Sequence, residues 1–268
     1  MDKIINPDAV RQQYANDHNL MIRAHFHQRF NTNHEDLRDW FFEHANVTNA
    51  KRILEVGCGN GDLWQDHLDL LPLDATLTLS DFAVGILQQA QTRFANNKQV
   101  SVVQVDVQEI PFPDNSFDVV IANHVLHHIP NIPAALDEIK RVLRPGGTLY
   151  AMANGTNGLE HFLHSAIRKV EPTSTAFAEN LPFNLQNGAE LLRRNFQDIT
   201  LTQYPNSLHV TDPHAIVEYV ASTKEMQPGI TTELLAELDN YFAGQAKRNG
   251  GAIDIKKEIG LFTATASK

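Results

Sequence analysis

The chain has 268 residues, enough to bury a full core in one large domain or in one domain with a small appendage. A formal net charge of -10 argues against broad nucleic-acid or anionic-membrane binding, and 42% hydrophobic with 20% charged residues is a globular composition. The single cysteine, Cys58, excludes an internal disulfide and a cysteine-built zinc site, and suits a reducing compartment.

The N-terminal residues carry no basic region followed by a long apolar stretch, and no run approaches the ~18 apolar residues of a membrane helix. The expectation is a cytoplasmic protein. Residues 8–46 read as two helices broken near Asn31-Thr32-Asn33, with Leu37, Trp40 and Phe41 at i, i+3, i+4 and Ala45 continuing the face. From residue 52 strands and helices alternate. Strands are expected at 53–56, 75–80, 100–105, 117–122 and 148–152; helices at 63–71, 84–94 and 134–143, the last stopped by Pro145-Gly146-Gly147. That order predicts a doubly wound parallel sheet with helices on both faces. Further on, 159–170 reads as helix, 172–186 as irregular, 189–196 as a short helix and 199–204 as a strand. Asp212-Pro213 opens another helix, 231–242 is helical, and 252–259 and 261–266 read as strands on either side of Gly260. The pairs Arg193-Arg194, Lys256-Lys257 and Arg141/Arg144 read as solvated faces, and Phe30, Trp40 and Phe41 as core.

The chemistry-bearing stretch is Glu55-Val56-Gly57-Cys58-Gly59-Asn60-Gly61, directly after an apolar strand. Glycines there admit positive φ and let backbone approach a ligand at the carboxyl end of a sheet. Asp62 stands where a dinucleotide fingerprint needs its third glycine, and no Gly-Lys-Ser/Thr follows, so neither that motif nor a P-loop is present. Asp81 closes the second strand, where a carboxylate can accept both hydroxyls of a ribose or can cap the helix that follows. Asp106 closes the third strand, as an acceptor for an adenine amine, beside the Val107 amide, or as a turn residue before Pro111.

Glu55-x-Gly57-x-Gly59-x-Gly61, Asp81, Asp106, Pro111-Phe112-Pro113-Asp114-Asn115-Ser116-Phe117-Asp118 and Arg141-Val142-Leu143-Arg144-Pro145-Gly146-Gly147 together resemble a class I S-adenosylmethionine-dependent methyltransferase of the type 11 small-molecule group. The match covers about residues 50–155. The resemblance implies a Rossmann-like α/β fold with a seven-stranded sheet whose last strand is antiparallel, 199–204 and part of 252–266 supplying the sixth and seventh strands. It implies 1–50 as an N-terminal helical cap, 51–155 as the cofactor-binding half, and 156–268 as the rest of the sheet domain with helical lid insertions.

It also implies roles. Gly57, Cys58, Gly59 and Gly61 would line the methionine end of S-adenosylmethionine, and Glu55 would support that loop or the ligand's amino group. Asp81 would hold the ribose, Phe82 would pack on adenine, Asp106 and Val107 would hold adenine, and Asn123 would lie near the sulfonium. Among the histidines after the fourth strand, His124 is the candidate base and His128 a substrate or lid residue; Tyr14, Arg23 and His27 are lid candidates. His124 and His128 have i, i+4 spacing without the Glu of a His-Glu-x-x-His motif, so no metal is expected. Cys58 has no partner base and is not read as a nucleophile. The function expected is methyl transfer to a small molecule by a monomer or homodimer. A nicotinamide-dependent oxidoreductase and a non-catalytic S-adenosylmethionine-binding regulator are the alternatives.

Overall fold

A computed structural model describes residues 17–178, 181–224, 227 and 229–267. The described residues form two compact units. One draws on 35–154, 181–204 and 259–267, the other on 17–34, 155–178 and the described residues of 205–258.

The first unit is built on a seven-stranded sheet. Its strands are β1 (Arg52–Val56), β2 (Thr76–Asp81), β3 (Val100–Gln104), β4 (Phe117–Ile121), β5 (Leu143–Asn154), β6 (Phe196–Tyr204) and β9 (Ile259–Ala266), in the spatial order β3-β2-β1-β4-β5-β9-β6. The first five pair in parallel, and β9 runs antiparallel to both β5 and β6. This is the sheet that the resemblance implied.

Alternation along the strands separates two apolar layers. Leu54, Val56, Val120, Leu149, Ala151, Phe262 and Ala264 share one layer with α4 (Ile132–Val142) and with Leu192 of α6 (Gly188–Leu192). Ile53, Leu77, Leu79, Val119, Ile121, Tyr150 and Met152 share the other with α2 (Leu37–His44) and α3 (Val84–Phe94). Trp40 and Phe41 are buried there, as their helical spacing required. Burial on both faces is why these strands read as continuous apolar runs rather than alternating ones.

Caps set several helix starts. Asp36 accepts the Arg38 N–H ahead of α2, and Asn131 accepts the Ala134 N–H ahead of α4.

The second unit holds α1 (Asp17–Phe30), α5 (Leu159–Val170), α7 (His214–Ala221) and α8 (Thr232–Arg248), with a hairpin-like sheet of β7 (Ser207–Val210) and β8 (Ile253–Lys256). Its core joins Phe26, Phe30, Leu163, Ile167, Leu208, Val210, Ile216, Leu238, Phe242, Ile253 and Ile255.

Four expectations are corrected. The helix expected at 63–71 is two 3₁₀ turns, Asp62–Trp64 and Leu68–Leu70. Asp62, Asp66, His67 and Asp69 are weak helix formers, and Pro72 holds Leu71 in extended geometry, so nothing sustains an α-helix there. Pro145-Gly146-Gly147 lies within β5, because Leu143 already pairs with Phe117 and a register shift absorbs the turn. The helix expected at 189–196 ends at Leu192, since Phe196 is taken into β6 opposite Ala266. The strand expected at 252–259 is β8 of the small sheet, paired with a four-residue strand that sequence reading left unassigned, and Gly260 lies inside β9 rather than dividing two strands.

Asp118, on β4, fixes the entry to β1. Its Oδ2 accepts the Lys51 N–H at 2.6 Å and the Arg52 N–H at 3.0 Å, while Oδ1 pairs with Arg144 at 2.8 Å. Replacing Asp118 by Ala leaves both amides without that acceptor and should lower stability by about 2–3 kcal/mol. Urea unfolding of the two proteins measures this; a loss under about 0.5 kcal/mol would show that solvent replaces the carboxylate at no cost.

Candidate functional site

Between β1 and β4 the chain turns away in opposite directions, which opens a crevice outside their carboxyl ends. The loop after β1 lies there. Gly57, Gly59 and Gly61 all have positive φ, at 73°, 57° and 75°. At Gly57 a methyl group would come within 2.5 Å of the Val125 side chain, so the loops after β1 and β4 meet with no room for Cβ. A backbone bond ties the loop to the next strand, Cys58 N–H donating to Ser80 O at 2.8 Å, and another closes the loop on itself, Gly61 N–H donating to Cys58 O at 2.9 Å.

The Asp81 carboxylate completes the turn. Oδ2 accepts the Gly59 N–H at 3.0 Å and Oδ1 accepts the Ala83 N–H at 2.9 Å. Both the glycine loop and the entry to α3 therefore hang on one side chain. A carboxylate offers about four acceptor positions, so each oxygen retains capacity for a hydroxyl donor. Phe82 beside it is 62% exposed, an apolar ring with no core to fill.

Glu55 points elsewhere. It is 3% exposed, and its Oε2 accepts the indole N–H of the fully buried Trp64 at 2.8 Å. Burial is the main cause that pushes its carboxyl up to about 8; the Trp64 bond opposes the shift and the Asp81 charge adds to it. Burial likewise pushes the Cys58 thiol up, with Glu55 and Asp81 adding to the shift, which makes it a poor nucleophile.

Asp106, past the end of β3, is joined to the β2 tip through Val105 N–H, which donates to Asp81 O at 3.1 Å. Its carboxylate accepts the Gln108 backbone N–H at 2.9 Å and the Gln108 side-chain amide at 3.1 and 3.3 Å. It thus has the geometry of a turn residue, and Val107 behind it is buried. Gln108 was not legible as its partner, since nothing in the spacing distinguishes it from a surface glutamine. Asn123 Oδ1 accepts the Met152 N–H at 3.2 Å, and the His124 N–H donates to Met152 O at 2.9 Å. His124 takes φ of 52°, a left-handed conformation unusual for a non-glycine residue. The His127 and His128 rings lie tilted against each other, with centroids 4.0 Å apart. Burial pulls the His127 imidazole down to about 3, with His128 and His124 adding to the shift. Burial also lowers His128, against the opposing pull of the Asp81 carboxylate.

The glycine loop, Glu55, Asp81, Phe82, Asp106, Val107, Asn123, His124 and His128 therefore gather on one sheet edge. Arg23 and His27 belong to the other compact unit, where Arg23 Nη1 donates to Ser222 O at 2.9 Å and His27 packs edge-on against Tyr219. Tyr14 lies outside the described residues. Asp62, the residue that displaces a third glycine, faces the guanidinium groups of Arg38 and Arg93 at 3.5 and 3.4 Å. Among the described residues no group of three or more His, Cys, Asp or Glu side chains is arranged to hold a metal ion, and no helix is long and apolar enough to cross a membrane.

Residues 54–151 match the family model described as a methyltransferase domain. A demethylmenaquinone methyltransferase of Bacillus licheniformis is 29% identical over 119 residues, which are 44% of this chain and 51% of that protein. The matched stretch thus spans about half the length of that curated relative. A putative methyltransferase structure from Bacillus halodurans superposes with a TM-score of 0.59 at 17% identity, covering 87% of this chain and 99% of that one. The structure of Haemonchus contortus phosphoethanolamine N-methyltransferase 2 in complex with S-adenosyl-L-methionine superposes with a TM-score of 0.51 at 18% identity, covering 94% of this chain and 53% of that one.

The Glu55 carboxyl, with an ordinary value of 4.5 and a folded value of about 8, holds a proton that the unfolded chain has already lost in that interval. Its ionisation costs nothing below about pH 4.5 and lowers stability progressively as pH rises towards 8. Glu55→Gln keeps an acceptor for Trp64 and removes the titration. The variant should match the parent near pH 5 and exceed it by a few kcal/mol at pH 8. Denaturant midpoints across pH 5–8 test this, and parallel curves for the two proteins would refute the assignment.

Proposed function

We propose that this chain, whose residues 54–151 form a class I S-adenosylmethionine-dependent methyltransferase domain, transfers a methyl group to a small-molecule acceptor. The observation that carries the reading is the Asp81 carboxylate, fixed by the glycine loop yet with acceptor capacity to spare at the crevice edge. In this reading Asp81 takes the ribose hydroxyls, Gly57–Gly61 back the methionine end, and the exposed Phe82 covers one side of the adenine. Asp106 and Val107 contribute through the turn they build, Asn123 fixes the end of β4 near the sulfonium, and Glu55 supports the loop from behind through Trp64.

Bound S-adenosylmethionine supplies a methyl group already activated on a sulfonium. The chain's own residues then have to hold an acceptor atom in line and keep water out, which is catalysis by proximity and orientation. An acceptor that must lose a proton needs a base, and His124 is proposed for it. The name of the Bacillus licheniformis relative supports a small-molecule acceptor, and the net charge of -10 disfavours a nucleic acid in that role.

Calorimetry with S-adenosylhomocysteine tests the ligand. Binding by the parent chain, weakened by about 1–3 kcal/mol in Asp81→Asn, is expected, the scale of a charge-assisted hydrogen bond. Unchanged affinity in that variant removes Asp81 from the ribose, and stabilisation by NAD in place of S-adenosylhomocysteine removes the reading altogether.

For His124 the informative change is to Asn, which tolerates the left-handed backbone while losing the imidazole. Turnover on an acceptor that must be deprotonated should fall about a hundredfold or more, the lower range for a general base, with stability and S-adenosylhomocysteine affinity preserved. An unaltered pH–rate profile in His124→Asn would exclude it as the base.

A further inference from the structure

The strand edges of this chain are not protected equally. β7 is covered on its outer side: Thr32 N–H donates to Ser207 O at 2.9 Å, and Asn31 bridges to Leu208. β8 turns Asp254 and Lys256 outward. β3, one edge of the large sheet, has five residues, follows Lys98, and is tied at its end where the Gln104 side-chain amide donates to Phe82 O at 3.0 Å. Cover, charge and brevity are the usual means of keeping a strand edge from pairing with another chain.

β6, the opposite edge, has none of them. It runs nine residues, Phe196–Tyr204, without a lysine, arginine or proline, where about five or six residues is usual. It pairs with β9 alone, and among the described residues its backbone makes no other hydrogen bond. Its one irregularity is a bulge at Asp198, which takes φ of 51° where the register shifts between Gln197 and Thr200. Beyond the bulge, Thr200–Tyr204 stays in register with β9 without interruption. Within that stretch Leu201 is 37% exposed. It stands opposite Phe262, and a methyl group on Gly260 would come within 2.9 Å of its side chain, so it leans inward over Gly260 and leaves its outer side at the margin of an apolar layer.

A strand that adds here must be neutral and β-forming. A basic one would meet only Asp198, which lies outside the regular stretch, and an acidic one would meet no cation. We propose that the occupant is β6 of a second copy of this chain, paired antiparallel about Thr202 so that the two seven-stranded sheets become one. In that register the stretch is its own complement. Thr202 faces Thr202, a favourable cross-strand pair, Leu201 faces Gln203, and Thr200 faces Tyr204. The two Leu201 side chains meet on the diagonal, within reach of each other, and continue the apolar layer from one copy to the next. The two Asp198 carboxylates end up about 26 Å apart, beyond the range of their repulsion at physiological salt. A two-fold contact of this kind closes on itself and yields a dimer, not a fibre. It lies three strands from β4 and does not rest on the methyl-transfer reading.

Sedimentation of the full chain from about 1 to 500 μM tests the association. The mass should rise with concentration from 30.0 kDa towards twice that value. Leu201→Lys brings two ammonium groups together across the two-fold axis and should move the midpoint to at least about tenfold higher concentration, with circular dichroism unchanged. Cross-linking tests the register. Cys58 is buried, so a cysteine introduced on β6 is the accessible thiol. Mild oxidation should join two copies of Thr202→Cys, whose new thiols face each other, and should leave Thr200→Cys single, because its thiols would stand about 13 Å apart. A one-chain mass throughout the range, an unmoved midpoint in Leu201→Lys, or cross-linking of Thr200→Cys as readily as Thr202→Cys would each overturn the proposal.

Discussion

The hydrogen bond from Gly59 N–H to Asp81 Oδ2 is the constraint on which the candidate site rests. A positive-φ turn leaves its amides facing outward, and an amide removed from water needs an acceptor. Asp81 provides one from the neighbouring strand, and its other oxygen takes the Ala83 N–H where α3 begins. The same carboxylate thus orders the loop after β1 and the helix start after β2. Helix-start turn and ligand contact looked like competing explanations of one aspartate. With two bonds made and lone pairs left over, they are compatible, and the structural bonds are what would hold the free lone pairs in a fixed direction.

The parallel half of the sheet was legible because its strands are short apolar runs ended by Gly, Pro or Asp, and burial on two faces demands that composition. The same rules failed where long-range partners decide the outcome. Residues 62–71 carry apolar residues at helix-compatible intervals, but Trp64 is drawn to Glu55 and Pro72 closes the segment, leaving only 3₁₀ turns. In β8, Ile253 and Ile255 face in while Asp254 and Lys256 face out, so its strand character was visible. Its partner, Ser207–Val210, is four residues long and distant in sequence, and no local pattern announces such a pairing.

Residue type was easier to foresee at the site than side-chain direction. The glycines are dictated by the backbone, above all Gly57 against Val125. Glu55 lies within β1 and Asp106 just past β3, but each spends its carboxylate on a neighbour, Trp64 in one case and Gln108 in the other. A glutamate inside an apolar strand with a tryptophan nine residues on was the available signal for the first; the second had none. The consequence is electrostatic. Glu55 keeps its proton up to about pH 8, so it does not add a second negative charge behind Asp81 at neutral pH.

His124 shows how far geometry alone carries a catalytic proposal. A left-handed conformation costs a non-glycine residue roughly 1–2 kcal/mol, and it persists only where the surroundings impose it. Here the imposition is visible: Asn123 Oδ1 and the His124 N–H both engage the backbone of Met152 on β5, clamping the end of β4 to its neighbour. The backbone at 124 is therefore held by β5, and the side chain leaves it in a direction set by that turn. For proton transfer this matters more than acidity, because a base free to rotate loses the orientation on which its contribution depends. Strain fixed by one strand and an imidazole carried on it are the arrangement expected of a preorganised group, and replacing the ring while keeping the turn is what separates the two contributions.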